Sequence, residues 1–229
     1  MTERLRVAVA GAQGRMGTIA REALQYQRLY CCGLARTEDS QQAIFASLDD
    51  VFAQNPDVLL DLTTQPSSYE ISSASVGRGI PTVVGASGWS DEQRAALGAL
   101  ATQRGVGALI VPNFSIGAML MMRFAQEAAR YFRKAEIIEL HHSGKKDKPS
   151  GTARETALCI ERGGGETPPI HSVRLPGLLA HQEVLFSGPG EVLTLRHDSL
   201  SRESFVNGMI AAVHAVVGTR GLSIGLNLE

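Results

Sequence analysis

The chain is poor in cysteine and in aromatic residues, and it carries no large excess of either charge. Three cysteines among 229 residues are too few, and odd in number, for a disulfide framework. Cys31 and Cys32 are adjacent, which excludes an ordinary bridge between them. Both fall in a strand-like run, where buried free thiols are expected. Lys plus Arg (22) nearly balances Asp plus Glu (23), for a formal net charge of −1. There is no basic excess to suggest nucleic acid and no acidic tail to suggest a charged partner. No apolar run approaches the roughly 20 residues that a membrane span needs. The opening Met-Thr-Glu-Arg-Leu-Arg runs straight into a strand-like segment rather than a cleavable signal. A soluble, cytoplasmic protein is the expectation.

What is present is an alternation of apolar strands and helices. Leu5–Ala10, Leu29–Ala35, Val58–Leu62, Pro81–Gly85 and Gly107–Val111 read as strands, with helices over Arg15–Gln25, Ser68–Gly77 and Ser90–Gln103. The last of these opens on the capping box Ser90-Asp-Glu-Gln93. Such alternation predicts a parallel sheet covered on both faces. After Pro112 the pattern changes. Ser115–Phe132 reads as a long amphipathic helix whose Met119, Met121, Met122 and Phe124 are assigned to core packing. Ala135–His141 reads as a strand and residues 152–162 as a helix. Pro168–Leu175, Glu183–Ser187 and Glu191–His197 look like antiparallel strands, the last two joined through Gly188-Pro189-Gly190. Ser204–Val217 returns to helix, and Gly221–Leu228 adds a short strand. The fold class is α/β: a Rossmann-type parallel-sheet domain (1–115 and 205–229) interrupted by an α+β insert with a mainly antiparallel sheet (116–204).

Gly11-Ala-Gln-Gly14-Arg-Met-Gly17, between the first strand and first helix, is a G-x-x-G-x-x-G form of the dinucleotide fingerprint. Its glycines permit a tight turn and close approach of the backbone to a pyrophosphate on the helix N-terminus. At the end of the second strand, an acidic residue favours a ribose 2′-hydroxyl and a basic one a 2′-phosphate. Arg36 stands near that place, with Glu38 and Asp39 just beyond. The loops Asp61-Leu-Thr-Thr64 and Gly85-Ala-Ser-Gly88 follow later strands on the same edge of the sheet, where ligands of such folds bind.

The densest polar cluster is His141-His-Ser-Gly-Lys-Lys-Asp-Lys-Pro-Ser-Gly-Thr-Ala153. Imidazoles exchange protons near neutral pH, and lysines together with an uncapped helix N-terminus attract anions. The segment therefore reads as a pocket for a small polyanion with a proton donor beside it. A metal site is not expected, because no cysteine or further histidine lies at a ligand spacing. Thr152-Ala-Arg-Glu155 also scores as a capping box, a role compatible with anion binding by backbone N–H groups. His171, His181, His197 and His214 lack such context and read as structural or surface residues.

Gly11–Gly17, Val111-Pro-Asn-Phe-Ser-Ile-Gly117 and Glu139–Ala153 together closely resemble the dihydrodipicolinate (4-hydroxy-tetrahydrodipicolinate) reductase family of diaminopimelate and lysine biosynthesis. The resemblance spans essentially the whole chain. It implies hydride transfer from NADPH or NADH to a cyclic dicarboxylate imine, with His141 as general acid and Lys145 as catalytic and substrate-binding lysine. His142, Gly151 and Thr152 match substrate-binding positions. Gly11, Gln13, Gly14, Arg15 and Met16 match the pyrophosphate loop, and Gly85, Ser87, Pro112, Asn113 and Phe114 the nicotinamide surroundings. A homotetramer built through the insert's sheet is implied as well. Two departures stand out: Gly-Ala-Ser-Gly replaces the familiar Gly-Thr-Thr-Gly, and Arg36 replaces an acidic residue. A nicotinamide sensor without chemistry, or a related amino-acid or hydroxy-acid dehydrogenase, is the competing reading; neither accounts for the His-His-x-x-Lys segment.

Overall fold

Short apolar runs of the first half become mostly buried strands, which alternate with helices except where the third strand follows the second. In this computed structural model residues 4–226 are described. The chain runs β1 (Val7–Ala10), α1 (Arg15–Tyr26), β2 (Tyr30–Leu34), β3 (Ile44–Phe45), α2 (Leu48–Ala53), β4 (Val58–Asp61), α3 (Ser67–Gly77), β5 (Thr82–Val84), α4 (Asp91–Arg104) and β6 (Gly107–Ile110). Next come α5 (Ile116–Ala128), β7 (Ala135–His141), α6 (Gly151–Arg162), β8 (Ile170–Arg174), β9 (Ala180–Gly188) and β10 (Glu191–Ser199), then α7 (Val206–Ala215) and β11 (Gly221–Ile224). Two compact units result, one of residues Met1–Phe114 with Phe205–Glu229 and one of Ser115–Ser204.

The first unit holds a parallel sheet of order β11-β6-β5-β4-β1-β2-β3. One face carries Ala8, Ala10, Leu59, Val84 and Ala108 and packs against Val51 of α2, Val76 of α3 and Leu97 of α4. Helices α1 and α7 pack on each other and on β1, β4 and β5. Strand boundaries lie up to two residues inside the expected ones, while β3, of two residues, and α2, of six, are too short to show a period in the sequence. The Ser90–Gln93 capping box is present, and Gly105 ends α4 in the left-handed conformation. Cys32 is buried as expected, whereas Cys31 is only partly buried; both are free thiols. Cys31 lies where the β1–β2 register shifts, and its sulfur accepts from the Arg6 guanidinium at 3.1 Å.

The second unit has a four-stranded sheet of order β10-β9-β7-β8. β9 is antiparallel to β7 and to β10, but β8 pairs with β7 in parallel, which corrects the expected antiparallel Pro168–Leu175. The reason is the connection: α6 intervenes between β7 and β8, making a crossover that returns the chain in the same direction. Alternation along β7 sends Ala135 and Ile137 inward to Val184, Phe186, Met121, Ala125, Ala157 and Ile160. Ser115 caps α5, which is shorter than expected. Only Met121 of its methionines is buried and Phe124 is 54% exposed, so the apolar stripe exceeds what this core covers.

Candidate active site and cofactor groove

At the carboxyl ends of β1, β2 and β4 the first unit opens a groove of about 720 Å³. Gly11, Gln13, Gly14 and Arg36 line it together with Leu62, Thr63 and Thr64, so the structure brings four of the expected residues to one place. Its floor depends on the absence of side chains. Gly11 has φ +78°, and a Cβ on Gly17 would sit 2.0 Å from the Gly11 carbonyl oxygen. Gly14 precedes α1 with no side-chain cap, leaving the first-turn N–H groups toward the loop. A glycine-lined concavity at such a helix start suits a dinucleotide pyrophosphate. Arg15 and Met16 form the first turn of α1 and do not line the groove.

Two further features shape it. Asp61, fully buried, accepts hydrogen bonds from the Thr63 N–H (2.9 Å), the Thr63 hydroxyl (2.5 Å), Ser72 (3.1 Å) and Ser68. This fixes the loop after β4. Beyond β2, Asp39 accepts from the N–H groups of Gln41 and Gln42 and from the Gln42 side chain, and so caps the turn Ser40–Gln42. Arg21 donates to Gln42 from behind. Asp39 is thereby engaged, and Arg36 is the charged residue of this stretch that lines the groove, beside Ala35. Gly85 ends β5 where a Cβ would lie 2.6 Å from the Phe114 ring, and Phe114 is buried there. Ser87 and Pro112 are exposed, and Asn113 is half-buried in the turn after β6.

In the second unit the inner face of β7 changes character along its length. Past Ala135 and Ile137, Glu139 and His141 take the inward positions. Glu139 is fully buried and accepts two bonds from Arg174 of β8, at 2.7 and 2.9 Å. Its Oε2 also meets the His141 Nδ1. Arg174 reaches on to the Asp147 carbonyl at 2.7 Å, tying down the loop that carries the lysines. Lys145 pairs with the Asp147 carboxylate at 2.8 Å. Burial would raise the Glu139 carboxyl, but Arg174, Ser172 and His141 outweigh it and hold it below the usual range. Burial is the main influence on His141 and depresses it below its usual value, with Lys145 and Arg174 acting the same way and Glu139 opposing them.

His142 and Gly151 are exposed, and Thr152 is half-buried in the first turn of α6. Ser150, not Thr152, is the cap, accepting from the Ala153 N–H at 3.2 Å. The helix start is therefore capped, and the Thr152 capping box is not formed: α6 begins one residue earlier and places Thr152 inside it. His171 pairs with Glu136, His181 with Asp198, and His197 meets the Ser115 hydroxyl at 3.0 Å. Glu139, Arg174 and Asp147 were missed in the sequence. The period of a strand could have pointed to Glu139, two residues before His141 on the same face.

Family models for the N-terminal and C-terminal parts of dihydrodipicolinate reductase match residues 5–114 and 117–226. The chain belongs to the dihydrodipicolinate reductase family. The 4-hydroxy-tetrahydrodipicolinate reductase of Streptomyces griseus is 43% identical, over 97% of this chain and 96% of its own. That of Cutibacterium acnes is 42% identical, over 97% of each. A solved structure of dipicolinate-bound dihydrodipicolinate reductase from Paenisporosarcina sp. TG-14 superposes with a TM-score of 0.86 at 35% identity, covering 98% of both chains. Like its family, this reductase is a nicotinamide-dependent oxidoreductase that acts on 4-hydroxy-tetrahydrodipicolinate.

Proposed function

We propose that His141 is the general acid of this reductase and that Lys145 binds a substrate carboxylate. The observation that carries the reading is the position of His141, 13% exposed at the open end of an otherwise buried strand face and within the field of Lys145. The substrate class has two carboxylates on an unsaturated, nitrogen-containing ring. Once the 4-hydroxyl has left as water, a reduced nicotinamide held in the groove would supply a hydride to the ring carbon conjugated with the imine. The resulting enamine needs a proton, which the His141 imidazolium delivers. Lys145 offers a compact charge to one carboxylate. Gly151 and Thr152, at the start of α6, take the other through the helix terminus, and His142 contributes from the exposed side. A dianionic ligand opposes the depression of His141 and favours its protonated form when it is needed.

On the cofactor side the assigned residues are Gly11, Gln13, Gly14, Arg15 and Met16 for the pyrophosphate, Arg36 for the ribose, and Gly85, Ser87, Pro112, Asn113 and Phe114 around the nicotinamide. Arg36 in the groove and Asp39 in its cap support use of NADPH at least as well as NADH. The first unit is the dinucleotide-binding domain, and the second binds substrate and carries subunit contacts. The outer face of its sheet, with Ile138, Leu140, Val173 and Leu185 only half-buried and Val192 66% exposed, supports a homotetramer joined there, and a cytoplasmic location fits its place among biosynthetic enzymes.

Oxidation of reduced cofactor by freshly generated 4-hydroxy-tetrahydrodipicolinate tests the assignment. His141→Ala should lower kcat by about 10²–10⁴-fold, the typical contribution of a general acid, while substrate affinity changes little. Lys145→Ala should weaken both turnover and binding. Unchanged turnover without the imidazole would remove His141 from the role.

A further inference from the structure

We propose that Glu139 and Arg174 form a positioning pair that fixes the His141 ring so that Nε2 is the proton-delivering atom. This deepens the assignment of His141 as the acid and rests on it. The pair touches no reacting atom; it acts through the histidine and through the lysine loop.

Three contacts define the device. Glu139 Oε2 faces the His141 Nδ1, so the neutral ring keeps its hydrogen on Nδ1 and its lone pair on Nε2. In the imidazolium form both nitrogens carry hydrogen, and Nε2–H is the one left for the substrate. After donation the ring is already in the tautomer that Glu139 accepts, with no flip between turnovers. Arg174 holds both Glu139 oxygens, at 2.7 and 2.9 Å, which keeps that carboxylate ionised and unable to rotate away. The same guanidinium donates to the Asp147 carbonyl, and the Asp147 carboxylate holds Lys145. One buried ion pair thus sets the ring's orientation and the height of the lysine loop. Its cost in desolvation is large, and a structural role would be met as well by apolar residues of the same shape.

The charges around His141 are accounted for by element. Glu139 is on its own strand, Arg174 on β8, and Lys145 with Asp147 on the following loop. On β9 its register partner is the uncharged Ala180, and the neighbouring His181 is turned to Asp198 of β10. Of these groups only Glu139 favours the protonated ring, whereas Arg174 and Lys145 disfavour it. Removing the acid or the base of the pair therefore shifts His141 in opposite directions.

The experiment follows His141 in protein labelled with isotopic histidine, its resonance identified by loss in His141→Ala, alongside kinetics across pH. In the wild type the neutral ring should be the Nδ1–H tautomer. Glu139→Gln should lower the titration midpoint further and move the alkaline limb of kcat/KM to lower pH. It should also cut kcat by about ten- to a hundredfold, as loss of a charged hydrogen bond does, with KM within about twofold. Arg174→Gln leaves His141 as the remaining cationic partner of Glu139, so the midpoint and limb should rise. Glu139→Asp should return the midpoint toward the wild-type value. Glu136→Gln, on the outer face of β7, should change none of these. Simple loosening of the unit would move both variants in one direction, and that result, or an unchanged midpoint and tautomer in Glu139→Gln, overturns the proposal. A midpoint that moves as expected while His141→Ala keeps full turnover would overturn the acid assignment instead, leaving only the orientation of the ring.

Discussion

The two units solve their recognition problems with different materials. In the first, the groove is made by backbone: a positive-φ glycine, a helix that starts without a side-chain cap, and a second glycine where the helix meets the loop. In the second, His141, the proposed acid, is set by buried charge: Glu139 and Arg174 on neighbouring strands, with Lys145 and Asp147 on the loop beyond. Backbone recognition suits a ligand whose phosphates accept from N–H groups in any orientation, and it tolerates little added volume. Proton delivery needs a defined tautomer and a defined charge, which only a side-chain network supplies. The first kind of site should therefore fail by steric displacement, and the second by loss of electrostatic balance.

The largest effect is expected where the buried pair is broken. Arg174→Met removes the bidentate partner of a fully buried carboxylate, and removing one partner of such a pair typically costs about 3–5 kcal/mol. The pH dependence distinguishes this from lost packing. Because the folded-state value of Glu139 is depressed, its contribution to stability is present above the usual value of 4.5 and is lost as pH falls through the lower folded value. In Arg174→Met the carboxyl keeps only His141 and Ser172 against the burial that pushes it up. The difference in denaturant midpoint between variant and wild type should be widest near neutrality and narrow in acid. A difference that is constant across pH would mean that packing, not charge, is what Arg174 supplies.

The steric counterpart is Gly17→Ala. Its Cβ would fall 2.0 Å from the Gly11 oxygen and 2.8 Å from the Gly11 carbon, both backbone atoms that cannot swing aside. Overpacking commonly costs about 1–3 kcal/mol, and this contact belongs at the upper end or beyond. Cofactor affinity should fall with stability, since the displaced atoms form the loop itself. Gly151→Ala, at the start of α6, has nothing within 4 Å of its Cβ and should leave thermal stability unchanged. Equal melting temperatures for the two variants would erase the contrast between a packed loop and an open helix start.

How much of each site was legible follows from the same contrast. The fingerprint Gly11–Gly17 was readable because its spacing, strand before and helix after are local in sequence. His141 and Lys145 stood out as candidates because they crowd one short segment. Arg174 did not, because its partnership with Glu139 depends on β8 lying parallel to β7, and an isolated strand such as Ile170–Arg174 does not reveal its direction. The same limit hid the short β3, whose two residues pair through Gly33 and Leu34 rather than through any pattern of their own. Thr152 was misplaced as a cap because two candidate hydroxyls, Ser150 and Thr152, precede α6, and the competition is settled by where the helix turns, with Ser150 bonded to the Ala153 N–H.

The smallest expected effect concerns Arg36, which sharpens the comparison by placing one side-chain charge on the backbone-built groove. Arg36 lines that groove, while Asp39 is held by the N–H groups of Gln41 and Gln42 and by the Gln42 amide, itself bonded to Arg21. An acidic residue so engaged is a poor acceptor for a ribose hydroxyl, which leaves the guanidinium to meet a 2′-phosphate. Loss of one charge-assisted hydrogen bond typically costs about 1.5–3 kcal/mol, so Arg36→Ala should weaken NADPH by roughly ten- to a hundredfold. NADH lacks the phosphate and should bind almost as before. Titration of both cofactors into the variant, read by quenching of Trp89 fluorescence or by calorimetry, gives the two dissociation constants directly. If both weaken alike, Arg36 supports the loop rather than selecting the cofactor. Gln42→Ala, which releases Asp39 Oδ2 while the backbone N–H groups of Gln41 and Gln42 still hold Oδ1, then becomes the variant that should move NADH alone.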